Sequence, residues 1–286
     1  MQDVIPVGSD LRSLGNAILY SDGRAGAQAE AIENAVGSDT ITAITGNHFD
    51  GSMPLAKILW LKENQPEIYE TAEKFIGVQD LVVHFLTGNY KTDYSQACRT
   101  LLMNIETFSW DPELLAIGGI TEDRLPELVP PGSIAGELSA DIAKKTGLGV
   151  GLPVIIAGGD QQNAAVALGV NKPGRAEANT GTGSFVISAV DKPVFDKEAR
   201  VLCQASAIAG QWIMEAGIFN TGAVYRWFKE QFCQDLSNDS SVYNRMNEEA
   251  GRSSTGSNGV IMIPHFEGSA APSGILMRKE SSLIYR

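Results

Sequence analysis

The stretch that decides the reading is PVIIAGGDQQNAAVALGVNKPGRAEANTGTGSFVIS, residues 153–188. It carries two chemical elements about twenty positions apart. The apolar run Pro153 to Ala157 closes on Gly158-Gly159 and is followed by Asp160, Gln161 and Gln162. This reads as a buried strand that delivers a carboxylate to the mouth of a helix, where the macrodipole favours negative charge. Downstream, Asn179-Thr180-Gly181-Thr182-Gly183-Ser184 precedes the apolar Phe185 to Ile187 and reads as a hairpin turn. Gly181 and Gly183 admit positive φ, and successive amides in such a turn form a nest for anions. Thr180, Thr182 and Ser184 add hydroxyl donors. A hydroxyl attacking a phosphoryl group needs a proton acceptor, neutralising donors and positioning. Each element also has a plainer reading: Asp160 as a helix cap and the glycines as an ordinary turn.

A chain of 286 residues suffices for two domains. A hydrophobic fraction of 43% with 20% charged residues is that of a globular protein. The net charge of −12, with no basic runs, argues against nucleic-acid and anionic-membrane partners, although backbone amides bind phosphate regardless of net charge. Cys98, Cys203 and Cys233 are odd in number and widely spaced, which fits a reduced cytoplasmic setting. His48, His84 and His265 lack ligand spacing, so no protein-built metal site is expected, and His84 reads as a packing residue. No apolar run reaches the length of a membrane span, and the start has no leader pattern.

The flanking sequence predicts a strand at Ala17–Tyr20 giving way to the polar turn Ser21–Arg24. Helices are expected over Ala25–Val36, Pro54–Glu63, Pro66–Lys74 and Val78–Leu86, the last stopped by Gly88. Further helices are expected over Ala97–Met103, from the cap Asp111-Pro112-Glu113 to Gly118, and over Ala140–Thr146 between Ser139 and Gly147. After the central stretch come a hairpin around Gly210, an amphipathic helix Thr221–Phe232 and a buried strand Val260–Pro264. The order suits an α/β protein with mixed sheets and two lobes. The boundary is expected near Asn171–Gly174, with Asp160 and the glycine turn on opposite walls of a cleft.

GGDQQ (158–162), KPG (172–174) and NTGTGSF (179–185) together resemble the FGGY carbohydrate kinases. AILYSDGRA (17–25), PLAKILWLKENQPEIY (54–69), LTGNYKTDYSQACRTLLMNIETFSWDPELL (86–115), LPELVPPGSIAGELS (125–139) and GIFNTGAVYRWF (217–228) agree in order. The resemblance implies a two-lobed actin-like ATPase fold of the ribonuclease H-like type, incomplete at both ends. It implies a partial substrate-binding domain over 1–170 and a partial nucleotide-binding domain over 171–286. It implies ATP and Mg²⁺ as cofactors and a small sugar or polyol as substrate: a pentulose, an autoinducer-2-type molecule, gluconate or glycerol. Carried over by position, Asp160 matches the base, and Asp22, Arg24 and Gln161 match substrate contacts. Thr180, Gly181, Thr182, Gly183 and Gly222 match the nucleotide side. The family's opening Asp-x-Gly-Thr hairpin and its closing adenine-binding segment have no counterpart here. The chain is therefore expected to be an internal piece with unpaired strand edges that favour homo-oligomers. The alternative is a remnant that binds ligand without phosphorylating it.

Overall fold

Short strands and helices are interspersed in the computed structural model, which describes residues 2–9, 12–196, 200–218, 220–233, 241–264 and 281–284. The chain divides into two compact units, Met1–Glu177 with Ile187–Met214, and Ala178–Val186 with Glu215–Arg286.

The first unit opens with β1 (Ile5–Val7), then α1 (Gly26–Val36), α2 (Ser38–Thr45), α3 (Pro54–Asn64), α4 (Pro66–Thr71), β2 (Lys74–Ile76) and α5 (Val78–Thr87). Helix α3 starts on Pro54, whose missing amide costs nothing at that position. It buries Leu55, Ile58 and Leu61 on one face against Leu101, Leu102, Met103, Ile105 and Leu114, which form the centre of the main core. Each such side chain contributes roughly 1.5–3 kcal/mol on burial. Lys57 lies on the same helix and is fully buried. Its ammonium donates to the carbonyls of Gln2 at 2.9 Å and Leu19 at 2.7 Å. Burial lowers its pKa to about 8.

Next come β3 (Lys91–Asp93), α6 (Tyr94–Ala97), β4 (Met103–Asn104), β5 (Ser109–Trp110), α7 (Pro112–Gly118), β6 (Glu127–Val129), β7 (Ile134–Glu137), α8 (Ala140–Thr146), β8 (Pro153–Ile155) and α9 (Asp160–Ala167). As its sequence predicts, Asp111 caps α7, accepting from the amides of Glu113 and Leu114. β1 pairs antiparallel with β2, β3 parallel with β6, β4 antiparallel with β5, and β7 antiparallel with β8 through a bulge. A four-stranded sheet has the order β11-β12-β10-β9, with β9 at Ala176–Thr180, β10 at Ser184–Val190, β11 at Leu202–Ala205 and β12 at Trp212–Ile218.

In the second unit, α10 (Gly222–Phe232) and α11 (Val242–Arg252) are joined by aromatic contacts. The rings of Tyr225 and Tyr243 lie 5.5 Å apart, and the Tyr225 hydroxyl donates to Asn247 at 2.6 Å. β13 (Ile261–Pro264) pairs antiparallel with β14 (Ser281–Ile284).

Several sequence expectations change. Ala17–Tyr20 is no strand: only Ile18 forms a bridge, with Val4. The helix at Pro66 stops at Thr71, because Ala72 turns extended and Lys74–Ile76 pairs with β1. The helix expected at Ala97–Met103 instead begins at Tyr94, capped by Asp93, and ends where Leu101 takes φ 58. β8 is not buried, since β7 is its sole partner strand among the described residues and Pro153 and Ile155 face outward; Ile156 after it is buried. β13 is likewise open at Ile261, which is 53% exposed. His84 stacks on Tyr90 at 4.0 Å, as a packing histidine should. His265 lies outside the described residues.

Asp80 is a buried carboxyl on the first turn of α5, accepting from the Gly77 amide at 2.7 Å. Burial pushes its pKa from 3.8 up to about 7. Between these values the folded state holds a proton that the unfolded chain has lost, so stability falls as pH rises from about 4 to about 7. Asp80→Asn keeps an acceptor for Gly77 and removes the charge. It should raise stability by roughly 1–3 kcal/mol at pH 8 and leave it unchanged near pH 4, as read from urea midpoints.

Candidate functional site

A cavity of about 560 Å³ opens in the first unit, bordered by Asp3, Tyr20, Gln79, Asp80, Trp110 and Asp160 among others. Asp160 reaches it because the chain turns sharply after β8. Gly158 takes φ 110, and Gly159 is the extended residue that caps α9. Asp160 is thus the first residue of α9 and not its cap; its carboxylate accepts from the Gln161 amide at 2.9 Å. The turn is tied down on two sides. The Gly159 amide donates to the Ser95 hydroxyl at 2.8 Å, and the Gly159 carbonyl accepts from the Asn163 side chain at 2.9 Å. Behind the helix, Gln162 donates to Gln204 at 3.0 Å, both residues being buried. Gln161 presents a buried Nε2 that has no hydrogen-bond partner among the described residues. Gln161, unlike Asp160, does not border the cavity.

Asp22 and Arg24 meet in the turn after Tyr20. The guanidinium grips the carboxylate through two nitrogens, the shorter contact being 2.6 Å. This hydrogen bonding holds the Asp22 carboxyl below the usual range and raises the Arg24 guanidinium. Arg24 also lies over the Trp60 ring, 4.9 Å from its centroid. Neither residue borders the cavity, whereas Leu19 and Tyr20, which lead into the turn, do.

In the second unit, Thr180–Gly183 and Gly222 come together. The Gly181 carbonyl accepts from the Gly222 amide at 3.0 Å, and the Thr182 carbonyl accepts from Thr221 and Ala223 at 2.9 and 3.2 Å. The first amides of α10 are therefore spent on the turn. The amides of Thr182 and Gly183 stay outside this bonding at its exposed tip, beside the Thr182 hydroxyl. Neither Gly181 nor Gly183 takes positive φ, so the turn is not the alternating nest that its sequence admits. Gly222 is required by space: a Cβ there would lie 2.2 Å from the Gly181 carbonyl oxygen.

Sequence reasoning passed over Ser95, Lys57 and Trp60, which hold these elements in place. Asp93 followed two positions on by Ser95 is a visible local turn signal, but Gly159 lies 64 residues from Ser95. No pattern in the sequence announces that contact.

Gly222→Ala should overpack the junction of the turn with α10 and lower stability by about 1–3 kcal/mol. Gly251→Ala, where a Cβ meets open space, should not lower it. Thermal or urea unfolding of the two variants side by side checks this.

Two family models match the chain in succession: FGGY family of carbohydrate kinases, N-terminal domain, over residues 1–167, and the C-terminal domain of the same family over residues 176–278. A gluconokinase of Bacillus licheniformis is 28% identical over 277 residues, 95% of this chain and 54% of its own length. A glycerol kinase of Thermococcus gammatolerans is 34% identical over 269 residues, 92% of this chain and 52% of its own. The crystal structure of a ligand-bound xylulose kinase from Lactobacillus acidophilus superposes with a TM-score of 0.91 at 26% identity, over 100% of this chain and 57% of that one. The chain thus spans about half the length of the relatives it matches. The α/β architecture is the one it shares with that xylulose kinase.

Proposed function

This chain belongs to the FGGY family of carbohydrate kinases, and on that footing we propose that it contributes to ATP-dependent phosphorylation of a hydroxyl on a small sugar or polyol. The observation that carries the reading is Asp160, held at the head of α9 on the border of the cavity. As base, Asp160 accepts the proton of the attacking hydroxyl and aims its oxygen. Gln161, whose buried amide has no partner among the described residues, would donate to a neighbouring hydroxyl of the same substrate. Arg24 and Asp22, paired in the turn just beyond the cavity-bordering Leu19 and Tyr20, would contact substrate oxygens that extend out of the cavity.

ATP supplies the γ-phosphoryl group. The Thr182 and Gly183 amides and the Thr180 and Thr182 hydroxyls bind phosphate oxygens, with Gly181 and Gly222 shaping the turn. Among the described residues no three His, Cys, Asp or Glu side chains cluster to hold a metal ion. Mg²⁺, when bound, would neutralise charge on the phosphates. We assign substrate binding to 1–170 and nucleotide binding to 171–286.

Gluconate, glycerol, a pentulose and an autoinducer-2-type molecule form the substrate panel. With ATP and Mg²⁺, one of them should elicit ADP release, and Asp160→Asn should lower kcat by roughly 10²–10⁴-fold. An unchanged rate in that variant removes Asp160 from the role of base. Binding of a panel member without any ADP release favours the alternative, ligand binding alone.

A further inference from the structure

We propose that Ser95 is a positioning residue for Asp160. The inference rests on the reading of Asp160 as the base. It comes from a chain of hydrogen bonds whose direction is fixed by chemistry.

Asp93 ends β3 and is fully buried. Its Oδ1 accepts from the Ser95 amide at 2.9 Å and from the Ser95 hydroxyl at 2.5 Å, and its Oδ2 accepts from Gln79 at 2.7 Å. Gln79 in turn accepts from Gln96 at 3.1 Å, so the carboxylate is fixed from both sides. A carboxylate accepts only, so the Ser95 hydroxyl must spend its single proton on Asp93. Its lone pairs then point away from Asp93, and one of them receives the Gly159 amide at 2.8 Å. Ser95 is itself fully buried. Water therefore does not compete for either bond.

The opposing backbone is shaped for this hydroxyl. A Cβ on Gly158 would stand 3.0 Å from the Ser95 oxygen, and Gly158 adopts a φ of 110 that side chains rarely take. The residue after Gly159 is Asp160. One hydroxyl thus sets the height at which α9 begins and the place from which its first carboxylate projects. The buried Asp93 and the amide ladder leave the hydroxyl no second orientation.

Displacing a reacting group by about 1 Å costs on the order of 10²-fold in rate. Ser95→Ala should therefore lower kcat by roughly 10–100-fold on the panel substrate with little change in KM. Ser95→Thr, which keeps the hydroxyl, should recover most of the rate. The second readout is independent of turnover. In the same 286-residue chain, hydrogen exchange at the Gly159 amide should accelerate in Ser95→Ala and return toward the wild-type rate in Ser95→Thr. The Leu168 amide, bonded to Ala164 at the far end of α9, should keep its protection. If Ser95→Ala fails to fold, Ser95→Cys, with a weakly accepting sulfur, takes its place and should show the same two effects.

Unchanged exchange at Gly159 overturns the proposal, as does faster exchange with kcat intact. Equal losses across all α9 amides, with kcat and KM moving together, would mean that Ser95 is merely structural, which also overturns it. A catalytically active Asp160→Asn sinks the base reading separately, whatever Ser95 does. A wild-type chain without turnover does the same, and the positioning role falls with it.

Discussion

Among the described residues, backbone comes closer to backbone than a side chain would permit at Gly46 and Gly222, as also at Gly51, and the fold depends on it. In the first unit a Cβ on Gly46 would lie 2.2 Å from the carbonyl oxygen of Cys203. The contact is closed by the Cys203 amide donating to the Gly46 carbonyl at 2.8 Å. It seats β11 against the end of α2 and carries Cys203 and Ala205 into the core built by α3. Gly222 does the same for the second unit, where α10 can begin only against the bare carbonyl of Gly181. Side chains could not substitute for these bonds, because the partner groups are main chain on both sides.

Around the cavity the work of fixation passes from backbone to buried polar side chains. Lys57 gathers the carbonyls of Gln2 and Leu19, and so pins the segment that leads into the Asp22–Arg24 turn. Asn47, also buried, bonds the carbonyls of Thr45 and Cys98 and accepts from Arg99. Burying such groups is costly unless their bonds are made. Once made, they specify one arrangement more sharply than apolar contacts of the same size. The walls near Asp160 are thus narrow in conformation, which is what a site that must aim a carboxylate requires.

The sequence was legible where the signals are local. Pro54, Asp111-Pro112, Gly88 and Gly147 mark helix ends that the structure keeps, because caps and prolines act within a few residues. The strands were far less readable. β1, β2, β3 and β6 are three residues each and pair across long separations, so neither alternation nor turn chemistry betrays them. The apolar AILY run failed as a strand for the same reason: it makes one bridge and then must turn at Ser21. Asp160 and the glycine turn were visible as residue types in a suggestive order. What holds them was not, since the hydroxyl of Ser95 and the ring of Trp60 acquire meaning only from tertiary contact.

The stacking of Arg24 on Trp60 has an optical consequence. An indole under a guanidinium sits in a strong local field, and its excited state responds when that field moves. The same guanidinium that pairs with Asp22 therefore sets the field at this ring. The turn thus carries its own chromophore, one of the chain's four tryptophans.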